Sequence, residues 1–324
     1  MQPTLVVLVA TEEEFDWTGP FDRGSTSVRA ASELPVGQRL FDEFGVRATW
    51  LCDYPIASQA ASLEPLREVL AGGRAELGAH LHPWVTPPFE EELTRANSFP
   101  GNLPEELERA KLEAITRVLE ENVGLRPRIY QAGRYGFGPR TAKLLVELGY
   151  QVDASSCPAF DFRPEGGPDF THARIEPFFH PEAKSLLVVP VTGAFIGFLG
   201  ERAPHWYSRI SQPTWARMRL PALFARARAV ERLRLSPEGF EFEDLKRLTL
   251  ALSARGQRVF TFTFHSPSLM PGGSSYVRSD DDLRRFLERC RRYFDFFLGE
   301  FGGRSLSPLA LRDEFAARHV PRPT

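Results

Sequence analysis

Residues 4–17, TLVVLVATEEEFDW, join an apolar run directly to a group of acidic side chains. The run at 4–10 consists mainly of valine and leucine, a composition that favours a buried β-strand. Further β-rich runs occur at 46–52, 75–79, 128–132, 150–154, 186–191 and 258–264. Longer segments with helical periodicity separate them, at 36–45, 62–73, 104–124, 139–149, 239–254 and 280–299. This alternation is typical of parallel βα units.

The repeated βα units predict a single folding unit. A chain of 324 residues can form two average domains or one large α/β barrel. Because no linker-like segment divides the chain, we expect one domain, a (β/α) barrel or a distorted relative of it. Two proline-rich insertions, 84–103 and 158–185, interrupt the pattern. Loops of this length often form the lids or walls of binding sites.

The composition argues against several classes of function. The 40 basic and 42 acidic residues leave a net charge of −2, so nothing predicts nucleic-acid binding. No apolar window reaches the length of a membrane span, and the N-terminus lacks the basic region of a signal peptide. Three widely spaced cysteines without a CxxC pair indicate neither a disulfide framework nor a cysteine-bound metal. These features predict a cytoplasmic protein.

Reactive side chains follow the predicted strands at the points where the strands end. In a parallel α/β barrel the carboxyl ends of the strands share one face, and catalytic groups come from several of them. We therefore expect these side chains to converge on one cleft. The set consists of Glu12, Glu13, His80, His82, Arg134, Asp153 and His265.

The segment GAHLHPW, residues 78–84, indicates a pair of metal ligands. Pro83 biases His82 toward an extended backbone, because the α conformation would clash with the proline ring. Side chains two apart on an extended chain point the same way, so His80 and His82 share one face. Two such imidazoles can bind one cation at about 2.0–2.1 Å each. An anionic oxygen from Glu12 or Glu13 would provide the third ligand.

The acidic residues that follow the first strand allow two interpretations. Carboxylates are favoured at a helix N-terminus, so the run could be a simple cap. It follows a strand directly, however, and consecutive side chains there face opposite ways. Glu12 and Glu13 therefore need not share a role, since one can bind a metal while its neighbour handles protons.

Four segments together resemble the polysaccharide deacetylase family, the NodB-homology group also called carbohydrate esterase family 4, and within it the WalW-like branch. They are TEEEFDW (11–17), GAHLHPW (78–84), GRYGFG (133–138) and FHSPSLMPG (264–272). The resemblance covers roughly residues 4–275. It implies an α/β fold, a distorted (β/α)7–8 barrel that forms one domain over residues 1–324, with C-terminal helices at 280–318. It also implies one divalent metal and hydrolysis of acetamides on N-acetylated sugars.

When the family's motifs are matched to this sequence, the resemblance implies which residues bind the metal and which residue is the general base. Glu13 matches the metal-binding acid, with His80 and His82 as the histidine pair, and Glu12 matches the general base. Zinc is the expected ion, and cobalt, nickel or iron would also suit two histidines and a carboxylate. The chain departs from the usual family pattern in its Glu-Glu pair and in its HxH spacing.

The remaining motifs imply the other roles. His265 matches the general acid, and Arg134 and Asp153 match residues that orient the base or the acid. Aromatic surface for a sugar face is expected from Trp17, Trp84 and Tyr135. Ala10 and Gln131 stand where relatives often have aspartate and arginine.

The function that these features predict is metal-dependent removal of N-acetyl groups from an amino sugar or from a polysaccharide or glycan intermediate. One alternative is hydrolysis of another non-peptide C–N bond on the same metal centre. The other is a catalytically inactive carbohydrate-binding relative, which the residues at positions 10 and 131 would favour. An N-acetylated sugar or glycan is the expected partner, with no nucleic acid and no membrane span.

Overall fold

The computed structural model describes residues 2–197 and 231–319, which form a curled, mainly parallel sheet surrounded by helices. Seven parallel strands lie in the order β10-β1-β2-β3-β4-β5-β7, and β6 adds an antiparallel edge to β7. Their bounds are β1 Thr4–Thr11, β2 Ala48–Cys52, β3 Glu76–Leu81, β4 Ile129–Ala132, β5 Val152–Asp153, β6 Phe178–Phe179, β7 Leu187–Val188 and β10 Val259–His265. Strands β8 (Gly193–Ile196) and β9 (Glu231–Arg234) form a separate antiparallel pair.

Strand β1 lies in the centre of the molecule and is buried along its whole length. Leu5 and Val7 face the helices on the outside of the sheet, whereas Val6 and Leu8 face its interior. A strand that is covered on both faces needs apolar side chains at successive positions. This requirement explains why residues 4–10 show no polar alternation.

Helices α1 to α7 cover the outer face of the sheet. Helix α4, for example, ends at Gly124, whose φ of +78° continues the chain in the left-handed conformation that glycine adopts without strain. Helix α7 begins with a capping box between Ser279 and Asp282. The bounds are α1 Leu34–Glu43, α2 Tyr54–Ser58, α3 Ala60–Leu70, α4 Glu105–Val123, α5 Thr141–Glu147, α6 Phe242–Ala254, α7 Asp280–Phe294 and α8 Pro308–His319.

An irregular segment completes the barrel between β7 and β10. Val191 N donates to Ser156 O at 2.9 Å, and Thr192 N donates to Thr261 O at 3.3 Å. This segment therefore connects the chain that follows β5 with β10 through single hydrogen bonds, and a continuous ladder of such bonds is not formed there. The predicted distorted (β/α) barrel in a single domain is confirmed, and the distortion lies at this junction.

The C-terminal part of the described chain belongs to the same barrel. Strand β11, Arg304–Ser305, pairs with the beginning of β1. Leu311 of α8 packs with Val6 and Leu8 in the interior cluster. No helix within residues 2–197 and 231–319 combines the length and the apolarity that crossing a membrane would require.

Several predicted elements are shorter in the structure, such as the strand expected at 150–154, which covers only Val152–Asp153. The strand expected at 186–191 covers only Leu187–Val188, because Pro190 has no N–H for a ladder bond. The helix expected at 280–299 ends at Phe294 and continues as a π-helical turn, Asp295–Glu300.

A buried lysine fixes the loop that follows β3. Lys111 of α4 is fully buried, and its Nζ donates to the carbonyl oxygens of Pro83, Thr86 and Pro88 at 2.9, 2.6 and 2.7 Å. It also pairs with the Glu91 carboxylate at 3.1 Å. Since Pro83 directly follows His82, this ammonium group holds the backbone beside the HxH segment.

We expect the substitution Lys111→Met to lower the free energy of unfolding by about 3–5 kcal/mol, because it leaves the Glu91 carboxylate buried without its cation. Urea denaturation measures the change, with Lys143→Met as the control because Lys143 is exposed. Equal stability of the two variants would contradict an anchoring role for Lys111.

Candidate metal centre and active site

The predicted strand-end residues meet at the carboxyl ends of the parallel strands. Residue pairing aligns Ala10 of β1 with His265 of β10, and His80 of β3 with Gln131 of β4. Glu12 and His82 extend one position beyond β1 and β3. Parallel strands in this register place their final residues side by side, which brings segments far apart in sequence to one site.

Glu12, His80 and His82 form a buried three-residue cluster. Glu12 Oε2 lies 3.3 Å from His80 Nε2 and 3.6 Å from His82 Nε2. One ligand atom from each residue lies within 4.8 Å of the other two. Ligands at 2.0–2.1 Å from a tetrahedral ion lie about 3.3 Å from each other, so the cluster has the dimensions of a metal site.

Hydrogen bonds at the Nδ1 atoms of the two histidines, on the side of each ring away from Glu12, support the interpretation as a metal site. His80 Nδ1 lies 3.0 Å from the carbonyl oxygen of Gln131. A carbonyl can only accept, so Nδ1 carries the proton and the neutral ring directs the Nε2 lone pair at the Glu12 carboxylate. Burial lowers the pKa of both histidines, which favours this neutral form. With both Nε2 atoms unprotonated, acceptors face each other at 3.3 Å, and a divalent metal between them would be held by both sides.

Glu13 lies behind the cluster instead of within it. Its Oε2 lies 2.9 Å from His82 Nδ1, and its Oε1 accepts a hydrogen bond from Trp84 Nε1 at 2.9 Å. Glu13 therefore holds the His82 ring with Nε2 toward Glu12, as carboxylates do behind metal-binding histidines. The prediction placed Glu13 on the metal, whereas the structure places Glu12 nearer to both Nε2 atoms.

Asp53, which follows β2, supports Glu13 in turn. Its carboxylate accepts hydrogen bonds from Glu13 N and Ile56 N, both at 2.8 Å. Glu13, Asp53 and His82 also lie close enough to hold an ion. Because these carboxylates are already occupied by direct hydrogen bonds, we interpret the group as support for His82.

The electrostatics of the two glutamates differ. Burial acts to raise the pKa of Glu12, but nearby positive charge, above all that of His265, outweighs it and lowers the pKa to about 2. Burial, together with the Glu12 charge, raises the pKa of Glu13 to about 8. Glu12 is therefore the permanent anion of the pair, which suits a metal ligand.

His265 lies opposite the cluster with a carboxylate behind it. Glu238 Oε2 lies 2.7 Å from His265 Nδ1, and Ser268 Oγ donates to Glu238 Oε1 at 2.6 Å. Burial opposes protonation, but the charges of Glu238 and Glu12 raise the pKa of His265 to about 9. The imidazolium is thus the main form near neutral pH, and its Nε2–H can act as an acid.

These groups line a cavity of about 660 Å³. Trp17 and Tyr276, each 48% exposed, lie at its rim. Of the predicted residues, those in the cavity wall are Glu12, Glu13, Trp17, His80, His82, Arg134, Tyr135 and His265.

The surroundings of three predicted residues differ from those that their expected roles require: Trp84, Asp153 and, as described below, Arg134. Trp84 is 1% exposed and stacks on His82 with ring centroids 4.2 Å apart, so it supports the site and offers no surface to a sugar. Asp153 is buried and accepts a hydrogen bond from Ser155 Oγ at 2.5 Å, outside the cavity wall. Strand β5 ends at Asp153, and this residue is not part of the cavity wall.

Arg134 reaches the cavity but orients neither glutamate. Its guanidinium donates to Ser98 Oγ at 2.5 Å and pairs with Glu165. It also lies 4.2 Å from the ring centroid of Phe99. Arg134 therefore joins the two insertions, 84–103 and 158–185, at the cavity wall.

Sequence reasoning missed Asp53, Glu238 and Tyr276. Asp53 directly follows the predicted strand 46–52, so the strand-end rule could have found it. Glu238 and Tyr276 lie in loops without a strand-end signal, and only the tertiary structure brings them to His265.

Comparisons with known proteins find similarity in structure alone. No family model and no curated protein match the sequence. A protein from Pseudomonas aeruginosa assigned as a polysaccharide deacetylase superposes with a TM-score of 0.57 at 16% identity, covering 98% of this chain and 92% of the other. One from Mycobacterium smegmatis with the same assignment gives 0.56 at 16%, covering 100% and 96%. Puue allantoinase gives 0.56 at 16%, covering 98% and 92%.

These similarities define the class of fold. The chain has the fold of the polysaccharide deacetylases, as the four sequence segments implied. An allantoinase also has this fold, so the fold alone does not identify a substrate.

We expect Gly133→Ala to weaken metal binding at least tenfold, because a Cβ at position 133 would lie 2.5 Å from His82 Cδ2 and 2.5 Å from Leu81 O. Displacement of the His82 ring changes the ligand geometry directly. Zinc affinity measured by competition with a chelator tests this. Gly299→Ala is the control, since its nearest neighbour would lie at 3.8 Å.

We expect Glu238→Gln to lower the pKa of His265 from about 9 toward the ordinary value near 6.5. The wild-type pair stabilises the fold fully below pH 6.5 and loses this contribution as the pH rises through about 9. Histidine NMR titration measures the pKa, and urea denaturation at several pH values measures the stability difference. Glu243→Gln, on the exposed surface, should leave the pKa of His265 unchanged.

Proposed function

We propose that this protein is a metal-dependent hydrolase that removes N-acetyl groups from an amino sugar or a glycan intermediate. The observation that carries the proposal is the convergence of Glu12 Oε2 on the Nε2 atoms of His80 and His82. The resemblance of the four segments to polysaccharide deacetylases supports the same activity. Zinc is the proposed metal, and a cytoplasmic location and the WalW-like branch remain predictions.

The proposed site assigns a task to each group. Glu12, His80 and His82 would hold the metal, while Glu13 and Asp53 fix the His82 ring. A bound divalent metal would acidify a water molecule and polarise the acetyl carbonyl. Trp17 offers exposed aromatic surface at the rim for a sugar ring.

His265 would complete the reaction. Cleavage of the C–N bond leaves a nitrogen that must gain a proton, and the imidazolium of His265 can supply it. Glu238 holds Nδ1, so the proton that is transferred comes from Nε2. With this pair present, the site does not need Asp153 in the orienting role that the resemblance implied.

Glu12→Gln and Glu13→Gln distinguish the two assignments of the glutamates. We expect Glu12→Gln to lose stoichiometric zinc, and Glu13→Gln to retain zinc with an affinity lowered by about 10–100-fold. Elemental analysis measures the metal, and circular dichroism checks the fold. The opposite result would restore the sequence-based roles, with Glu13 on the metal and Glu12 as the base.

Acetate release tests the activity itself. The zinc-loaded protein is incubated with N-acetylglucosamine and its β-1,4 oligomers, and His265→Gln is expected to lower kcat by about 10²–10⁴-fold. Allantoin, assayed by loss of the substrate because its hydrolysis releases no acetate, tests the second candidate, another C–N hydrolase, which the similarity to an allantoinase favours. Zinc binding with no turnover of any substrate would favour an inactive carbohydrate-binding relative.

A further inference from the structure

The cavity beside the metal cluster is surrounded by segments that contact one another around its edge. Its lining comes from the residues that follow β1, β3, β4, β9 and β10 and from the insertion 158–185. Glu12 N donates to Ser266 Oγ at 3.3 Å, which joins the segments after β1 and β10. Trp84 Nε1 donates to Glu13 Oε1 at 2.9 Å, which joins the segments after β1 and β3. The wall is therefore continuous from β10 through β1 to β3.

The two insertions continue this wall. Arg134, in the turn after β4, donates to Ser98 Oγ at 2.5 Å and pairs with Glu165, so it contacts both insertions. The next residue, Tyr135, stacks on Phe162 with ring centroids 5.6 Å apart. These side chains extend the wall from the segment after β3 to the insertion 158–185.

Strand β9 and the loop after it complete the ring. The guanidinium carbon of Arg232 in β9 lies 4.4 Å from the ring centroid of Phe160, which belongs to the insertion 158–185. Glu238, after β9, accepts a hydrogen bond from His265 N at 3.1 Å, which returns the wall to β10. Within residues 2–197 and 231–319 these contacts close a ring around the cavity. A long glycan lying across the site would need openings at two opposite edges of this ring.

The size of the cavity suits a small ligand. Its volume of about 660 Å³ lies within the roughly 300–1,000 Å³ of pockets that enclose most of a small molecule. Glu12, His80 and His82 are buried in its lining, whereas Trp17 and Tyr276 are exposed at its rim. A reacting acetamide therefore has to enter past the rim to reach the metal cluster.

We propose that the pocket accepts a single terminal sugar unit, so that the substrate is a free N-acetyl amino sugar or the end of a short oligosaccharide. The inference rests on the proposed hydrolase function. Water adds its oxygen to the acetyl carbon, the C–N bond breaks, acetate leaves and the terminal unit keeps a free amine. An internal unit, which continues into further sugars on both sides, does not fit within the ring and keeps its acetyl group.

Product analysis tests this assignment directly. The zinc-loaded protein is incubated with the β-1,4 hexamer of N-acetylglucosamine, labelled with oxygen-18 at its reducing end, and tandem mass spectrometry locates each free amine. We expect free amines in terminal units and a kcat/KM that differs by less than about threefold between dimer and hexamer, because further units lie outside the pocket. Free amines at internal units, or a kcat/KM about tenfold or more higher for the hexamer, would overturn the inference.

A variant with an opened wall tests the role of the ring. The double substitution Phe162→Ala and Glu165→Ala removes the two side chains that the insertion 158–185 contributes to the lining. We expect it to produce free amines at internal units of the hexamer. Arg163→Ala is the matched control, since Arg163 lies between them in sequence, is exposed and pairs with Asp161 outside the lining. Circular dichroism and zinc content check both variants, and a folded double variant that still acts on terminal units alone would contradict the role of the ring.

Saccharide binding separates this inference from the proposed function. Calorimetric titration of zinc-loaded His265→Gln with the dimer and the hexamer measures affinity without appreciable turnover, and we expect Kd values within about threefold of each other. If the wild type releases no acetate from any acetamide but these affinities agree, the hydrolase proposal fails and the terminal-unit pocket stands. Binding of the hexamer that is tighter by about tenfold or more, or no binding of either saccharide, would reject the pocket.

Discussion

The hydrogen bonds on the Nδ1 sides of His80 and His82 are the constraint on which the rest of the site depends. An imidazole that is held at one nitrogen presents the other nitrogen in a fixed direction. A main-chain carbonyl holds the first ring, and the Glu13 carboxylate holds the second. The two rings therefore direct both Nε2 atoms at Glu12, and burial keeps water from replacing any of these contacts.

The barrel positions the side chains at the strand ends, and the two insertions form part of the cavity wall around them. Parallel strands place Glu12, His80 and His265 at one end because their register aligns the final residues. The insertions 84–103 and 158–185 are then joined by Arg134, which pairs with Glu165 and stacks on Phe99. Arg134 thus links both insertions to the turn that follows β4.

The two sides of the cavity differ in protonation. Glu12 and the two buried neutral histidines have the donor set of a cation site, whereas His265 lines the same cavity as an imidazolium. Glu238, held by Ser268, separates these states by raising the pKa of His265. This separation allows one cleft to hold a cation and still supply a proton near neutral pH.

The parallel βα architecture, the strand ends that carry the reactive groups and the shared face of His80 and His82 can all be predicted from the sequence. These features follow from local rules of alternation and from the effect of Pro83 on the residue before it. Three features follow from tertiary contacts alone: Glu12 lies beside both Nε2 atoms while Glu13 contacts His82 Nδ1, Trp84 is buried, and Glu238 contacts His265. The physical reason is that regular alternation ends with the strand, so the direction of the next side chains depends on neighbours such as Asp53 that come from distant segments.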